Sequence, residues 1–139
     1  MLVGALRVWL AVVGSTALFS AVQSYVSGAA IIEKIYTNAI STSDGGALLT
    51  ARVFGSWTSL AATVRLLAAA DIKNRSIYVA AVVSFVVAFV HFILETVVYG
   101  TAAATAGLVI PVVVSGISIL WMAIMFPIIF AQDEQKKSS

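Results

Sequence analysis

The sequence predicts an all-α polytopic membrane protein with four transmembrane helices and both termini on the cytosolic side. Three observations carry that prediction. The 139 residues are 61% hydrophobic and 10% charged, with a mean hydropathy of +1.06, far from the soluble balance of roughly half apolar and a quarter charged. Four apolar runs, each close to the roughly 20 residues that cross a bilayer core, are separated by short polar links. The basic residues divide unevenly between the ends of those runs, as topology determinants do. A single domain over 1–139 is expected, with spans at about 6–26, 50–70, 76–98 and 107–127 and a polar tail at 132–139.

The first run follows Arg7 and closes in the polar Gln23-Ser24-Tyr25 stretch. It is long for a signal-peptide core and no small-x-small cleavage site follows it, so it reads as a retained helix. Trp9 and Tyr25 fit the aromatic belts near its two ends, and Ala17 and Ala21 give it a small contact face. In the next segment Ile31, Ile32, Ile35, Tyr36 and Ala39 recur at helical spacing around Glu33 and Lys34. That pattern predicts a short amphipathic helix at the interface or extending the first span. Ser41 to Gly46, STSDGG, reads as a turn.

The second span, from about Thr50, carries Arg52 in its first turn and Arg65 near its end, and Gly55, Ser59 and Thr63 form a small-residue stripe every four residues. Asp71 to Arg75 is the compact charged loop, and Ser76 opens the third span. There Ala80, Ser84, Ala88, His91 and Glu95 share one stripe, small first and ionisable last, expected to face inward. Thr101 to Ala106 links to the fourth span, which has Pro111 near its start and Ser115, Gly116 and Ser118 for packing.

A net charge of +2 and a pI near 9.2 come from residues at helix ends, so no nucleic-acid surface is expected. With no cysteine and one histidine, neither a thiolate site nor a multi-histidine metal site is available within one chain; no cofactor is expected. With both termini cytosolic, Arg7, Arg65, Lys73, Arg75, Lys136 and Lys137 fall on that side and Lys34 and Arg52 across the membrane. Lys136 and Lys137, fourth and third from the C-terminus, look like a dilysine retrieval signal for the endoplasmic reticulum. Asn74-Arg75-Ser76 matches a glycosylation acceptor, but this orientation predicts that it stays unmodified.

Arg52 and Arg65 lie thirteen residues apart, about 20 Å of helix rise, so Glu95 and His91 share a depth with Arg52. The expected intramembrane polar cluster is therefore Arg52, His91 and Glu95, with Glu95 paired to Arg52, while Arg65 snorkels to the cytosolic surface or meets Asp71. Ionisable groups inside membranes suggest a catalytic or proton-handling site, with Glu95 as acid or base and His91 as its partner. The other reading is a buried lock that fixes helix register or docks a partner helix. A lone histidine with no second acid at that depth favours the lock. Trp57 and Trp121 read as packing or belt residues rather than a ligand cage.

Several stretches together resemble the ergosterol biosynthetic protein 28 family. They are LRVWL (6–10), YVSG (25–28), EKIYT (33–37), LTARVFGSWT (49–58), Val64-Arg65, DIKNRSIY (71–78), HFILE (91–95), VYGTAA (98–103) and the final KKSS, in order over nearly the whole chain. ARVFGSWT and HFILE are the most specific, and Leu94 departs from a small hydroxyl residue frequent in the family. The resemblance implies a non-enzymatic scaffold of the endoplasmic reticulum membrane. Its partners would be the sterol C-4 methyl oxidase, the 3β-hydroxysteroid dehydrogenase/decarboxylase and the 3-keto reductase, with membrane lipids, sterol among them, around it. The helix-packing faces Gly55/Ser59/Thr63 and Ala80/Ser84/Ala88 would serve partner binding or self-association. The rival expectations are an intramembrane sterol-binding protein or enzyme using Glu95 and His91 as acid and base, and a small proton-coupled carrier.

Overall fold

A computed structural model describes residues 1–38 and 45–137, with side chains except those of 29 and 132–137. It is helical, with no strand among the described residues: α1 (Leu2–Val26), α2 (Ala29–Ile35), α3 (Gly45–Ala70), α4 (Arg75–Val97) and α5 (Ala106–Lys137). Four segments are long and apolar enough to cross a membrane, namely α1, α3, α4 and Ala106–Ala131 of α5. Large apolar side chains such as Phe19, Leu60, Leu120 and Ile124 stay exposed on their outer faces, the arrangement a lipid solvent allows.

The helices form two antiparallel pairs, α1 on α3 and α4 on α5, joined mainly through α3 and α4. Glycine sets the first pair. A Cβ at Gly55 would stand 2.7 Å from the Tyr25 ring and 3.1 Å from the Ala21 carbonyl oxygen, and one at Gly14 would stand 2.8 Å from Leu66. The partner of the Gly55 face is thus α1 of the same chain.

The buried faces differ from the expected stripes. On α3 the inward residues include Ala47, Ala51, Phe54, Thr58, Ala61, Arg65 and Ala68; on α4 they are Tyr78, Ala81, Phe85, Ala88 and Phe92. Both alternate steps of four and three, which keeps a seam in place. A strict four-residue stripe turns about 40° further round the helix at each step. Gly55 is buried, Ser59 half-buried and Thr63 exposed; Ala88 is buried, Ser84 half-buried and Ala80 exposed.

Two apolar clusters mark the two ends of the bundle. One joins Leu6 and Leu10, Ala68, Ile72, Tyr78, Met122 and Phe130, so the start of α1, the α3–α4 turn and the end of the α5 span lie together. Arg7 donates to the carbonyls of Ala69 and Ala70 at 2.8 and 3.0 Å, covering the C-terminus of α3 with positive charge. Tyr78 donates to the Met122 carbonyl at 2.7 Å. Trp9 donates to Ser118 at 2.9 Å and packs against Trp121, centroids 6.2 Å apart, so both tryptophans are packing residues. The opposite end gathers Ile32, Ile35 and Tyr36 of the α2 segment with Ala51, Phe54, Phe92, Ala102 and Leu108.

Other expectations change at element ends. α3 starts at Gly45 and so absorbs the last residues of the anticipated STSDGG turn; Ser41 to Asp44 and Ala39 lie outside the described residues. Asn74, not Ser76, opens α4: its side-chain oxygen accepts from the Ile77 N–H at 3.2 Å, an N-cap. Pro127 does not end α5, and the anticipated tail continues as helix to Lys137. A proline inside a membrane helix removes one backbone bond and is accommodated locally.

Arg65 is the largest correction. It neither snorkels nor meets Asp71; it is 7% exposed, donating to the Ser84 hydroxyl and carbonyl, each at 3.1 Å. Its guanidinium lies 4.0 Å over the Phe85 ring, a cation–π contact. Two inward acceptors and an aromatic face one helix away draw it off the surface.

Candidate functional site

The end of the bundle away from the termini carries a hydrogen-bonded cluster built from three elements. α1 closes at Val26, and Gly28, at φ +55, turns the chain into α2. A side chain would be strained in that conformation. The turn lays α2 across the ends of α3 and α5, with Ile32, Ile35 and Tyr36 buried and Lys34 exposed. The helix is amphipathic as expected, but its apolar face meets protein.

α4 delivers His91 and Glu95 one turn apart. The Tyr36 hydroxyl stands 2.6 Å from His91 Nε2. Burial, and secondarily the Glu95 charge, push the Tyr36 phenol up to about 12, so it stays protonated at neutral pH. The phenol oxygen donates to Nε2 or accepts from it according to which ring nitrogen carries the proton. Nδ1 faces Glu95 Oε1 at 3.9 Å, beyond direct hydrogen-bond length. The Thr101 hydroxyl donates to Glu95 Oε2, and the Thr101 N–H donates to the Glu95 carbonyl at 2.9 Å. Trp57 of α3 completes the wall, with its ring 5.7 Å from that of His91 and edge-on.

Further bonds fasten the α2 segment to the α4–α5 linker. Asn38 donates its backbone N–H to the Thr101 carbonyl and its side-chain N–H to the Gly100 carbonyl, both at 3.1 Å. The Ala103 N–H donates to the Thr37 hydroxyl at 3.0 Å, and the Thr105 hydroxyl to the Lys34 carbonyl at 3.1 Å. Gly107 lets the start of α5 approach: a Cβ there would meet the Lys34 carbonyl oxygen at 2.5 Å. A cavity of about 380 Å³ opens beside the cluster, lined by Tyr36, Thr50, Trp57, His91, Glu95 and Thr101 among others.

The structure thus brings His91 and Glu95 together but leaves Arg52 out. Arg52 is exposed and forms no ion pair with Glu95; Thr101 holds the carboxylate instead, with His91 Nδ1 3.9 Å from its other oxygen. Depth alone admitted Arg52, whereas its azimuth on α3, next to buried Ala51, turns it outward. Tyr36 and Thr101 are the members that sequence patterning missed, because Tyr36 sat on an apolar stripe and Thr101 in an apolar-looking linker. A signal was present: EKIYT, ARVFGSWT, HFILE and VYGTAA, the last two separated by two residues and the others distant in sequence, supply Tyr36, Trp57, His91 with Glu95, and Thr101. Chemically, a phenol, an imidazole and a carboxylate in series can pass a proton or lock three elements together. Among the described residues no three histidine, cysteine or acidic side chains converge as a metal set. The helix-packing residues fall elsewhere, as described above, and Lys136 and Lys137 end α5.

Comparison with known proteins agrees with this convergence. The family model described as Erg28 like protein matches residues 6–120. The human ergosterol biosynthetic protein 28 homolog is 40% identical over 119 residues, covering 86% of this chain and 83% of that protein. Ergosterol biosynthetic protein 28 of Saccharomyces cerevisiae is 31% identical over 119 residues (86% and 78%), and that of Arabidopsis thaliana 33% over 118 residues (85% and 87%). No solved structure matches.

Proposed function

The chain belongs to the family of Erg28-like proteins, and from that membership we propose that it is a non-catalytic scaffold of sterol biosynthesis in the endoplasmic reticulum membrane. It would hold the C-4 methyl oxidase, the 3β-hydroxysteroid dehydrogenase/decarboxylase and the 3-keto reductase of C-4 demethylation side by side. Tethering raises the local concentration of successive active sites around an intermediate of low solubility. One observation carries the reading. The ionisable groups at the bundle end are tied within the protein, Tyr36 to His91 Nε2 and Thr101 to Glu95 Oε2, as in a structural lock. Exposed apolar faces such as that of Leu60 and Leu67 on α3 supply surface for partner helices, or for a second copy.

The orientation proposed is cytosolic for both termini. The start of α1 and the end of the α5 span share one end of the bundle. With Arg65 removed to the interior, Arg7, Lys73, Arg75, Lys136 and Lys137 remain there against Lys34 and Arg52 at the other. The terminal lysines would then be readable as a retrieval address. Asn74 would face the cytosol, unglycosylated.

Gentle-detergent purification with identification of partners tests the scaffold, which predicts recovery of the C-4 demethylation enzymes; recovering none of them rejects it. The cavity beside His91 and Glu95 favours one rival, an intramembrane sterol-binding protein or enzyme with those two residues as base and acid. Separate His91→Ala and Glu95→Gln variants separate the two. Loss of co-purifying enzymes supports the scaffold, whereas intact assembly with loss of a turnover by the purified protein supports the rival.

A further inference from the structure

A second cavity, of about 250 Å³, lies between α1, α3, α4 and α5 in the membrane-spanning part of the bundle. Phe54 and Trp57 border both it and the polar cluster. Its walls are mostly apolar, with Val13, Ala61, Phe92 and Val114 among them; of the polar residues in the lining, Thr16, Ser20 and Ser115 donate their hydroxyls to carbonyls of their own helices, which leaves Arg65 and Thr58. Arg65 spends its Nε–H and one further N–H on Ser84. A guanidinium has five such donors, so three remain, and no carboxylate among the described residues pairs with it. Thr58, two turns away on the same face of α3, is 8% exposed, and its hydroxyl has no hydrogen-bond partner.

A buried cation without a counter-charge is costly, and an unsatisfied buried hydroxyl is rare. Within a bilayer these are the marks of a site whose partner comes from outside the chain. Lipid tails satisfy neither group. An anion does satisfy the first, and a planar fork that is always charged favours a carboxylate, taken two bonds at a time. The space restricts the rest of the molecule. From Arg65 to Phe54 is eleven residues, about 16 Å along the helix, while the volume is at or below the small end for ligand sites. That admits one chain or one narrow fused-ring body and excludes a two-tailed phospholipid.

We propose that this cavity binds a single-bodied apolar molecule bearing one carboxylate. The carboxylate is held by the free N–H groups of Arg65, and the body lies past Thr58 toward Phe54 and Phe92. The inference rests on the cavity alone and stands or falls apart from the scaffold assignment.

The test uses the full chain in nanodiscs of zwitterionic lipid, with a photoactivatable laurate as probe and peptide mapping of the adducts. The expected adducts lie on the α3 and α5 residues that border the cavity. Unlabelled laurate should displace the probe at least tenfold better than lauryl alcohol, its uncharged counterpart. Labelling should fall at least tenfold in Arg65→Gln and several-fold in Arg65→Lys, which keeps the charge but loses the fork. Equal competition by the alcohol, adducts confined to outward residues such as Leu60 and Ile124, or undiminished labelling in a folded Arg65→Gln variant would each overturn the proposal. If circular dichroism shows Arg65→Gln unfolded, the Arg65→Lys variant and the acid-against-alcohol comparison on the native chain decide it.

Discussion

At His91 a single bond sets the chemistry of its neighbours. The Tyr36 hydroxyl fills Nε2, so Tyr36→Phe should free that nitrogen and cost about 1 kcal/mol, the usual worth of a partly buried hydrogen bond. Thermal unfolding in detergent measures it. The pH dependence has a definite sign. Folding raises the Tyr36 phenol from 10.0 to about 12, so its contribution is complete below pH 10 and disappears as the pH climbs through 12. The late-titrating phenolate absorbance should fall by one tyrosine in Tyr36→Phe, and the alkaline loss of stability should be shallower in that variant. Thr58 predicts the opposite direction. Thr58→Val keeps the shape and removes an unsatisfied hydroxyl, so the ligand-free protein should melt higher, by about 1 kcal/mol of stability. Glu95 and His91 were legible in the sequence because charge inside an apolar run stands out. Tyr36, Thr101 and the inward turn of Arg65 were not, because each depends on a neighbour from another element.

Between elements, glycine and the seam decide the packing. Gly107→Ala would put a Cβ 2.5 Å from the Lys34 backbone, where neither side yields easily. A loss of about 1–3 kcal/mol is expected, as for overpacking. Ala80→Leu, on the exposed face of α4, should change stability by less than about 0.5 kcal/mol. The original four-residue stripe predicts the reverse for Ala80, so the pair of melting curves separates the two seams. Apolar runs of the right length made the four spans readable. The azimuth of each helix was not readable, since stripes of small residues at steps of four and seams at steps of three and four overlap over one or two turns and part only along the full helix. The end of α5 was also hidden, because a proline with a polar stretch from Gln132 a turn beyond it resembles a stop.

For the molecule as a whole, the end-to-end arrangement of the two apolar clusters places the chain start and the end of the α5 span together. Single cysteines introduced at Lys73 and Ser138 of this cysteine-free chain should therefore react with an impermeant maleimide from the same side of sealed microsomes, and one at Lys34 from the other. Opposite-sided labelling of Lys73 and Ser138 would break the four-span architecture. The fastening of the α2 segment to the α4–α5 linker has one more consequence, in the order of synthesis. Lys34, Thr37 and Asn38 leave the ribosome well before their partners Thr105, Ala103 and Gly100, 62–71 positions later. α1 and α3 can pair as soon as both are made, but α2 has to wait, its polar groups unmatched, until α4 has been inserted. The lock at His91 and Glu95 therefore belongs to the last stage of assembly, and its closure marks a chain whose membrane insertion has run to the fourth span.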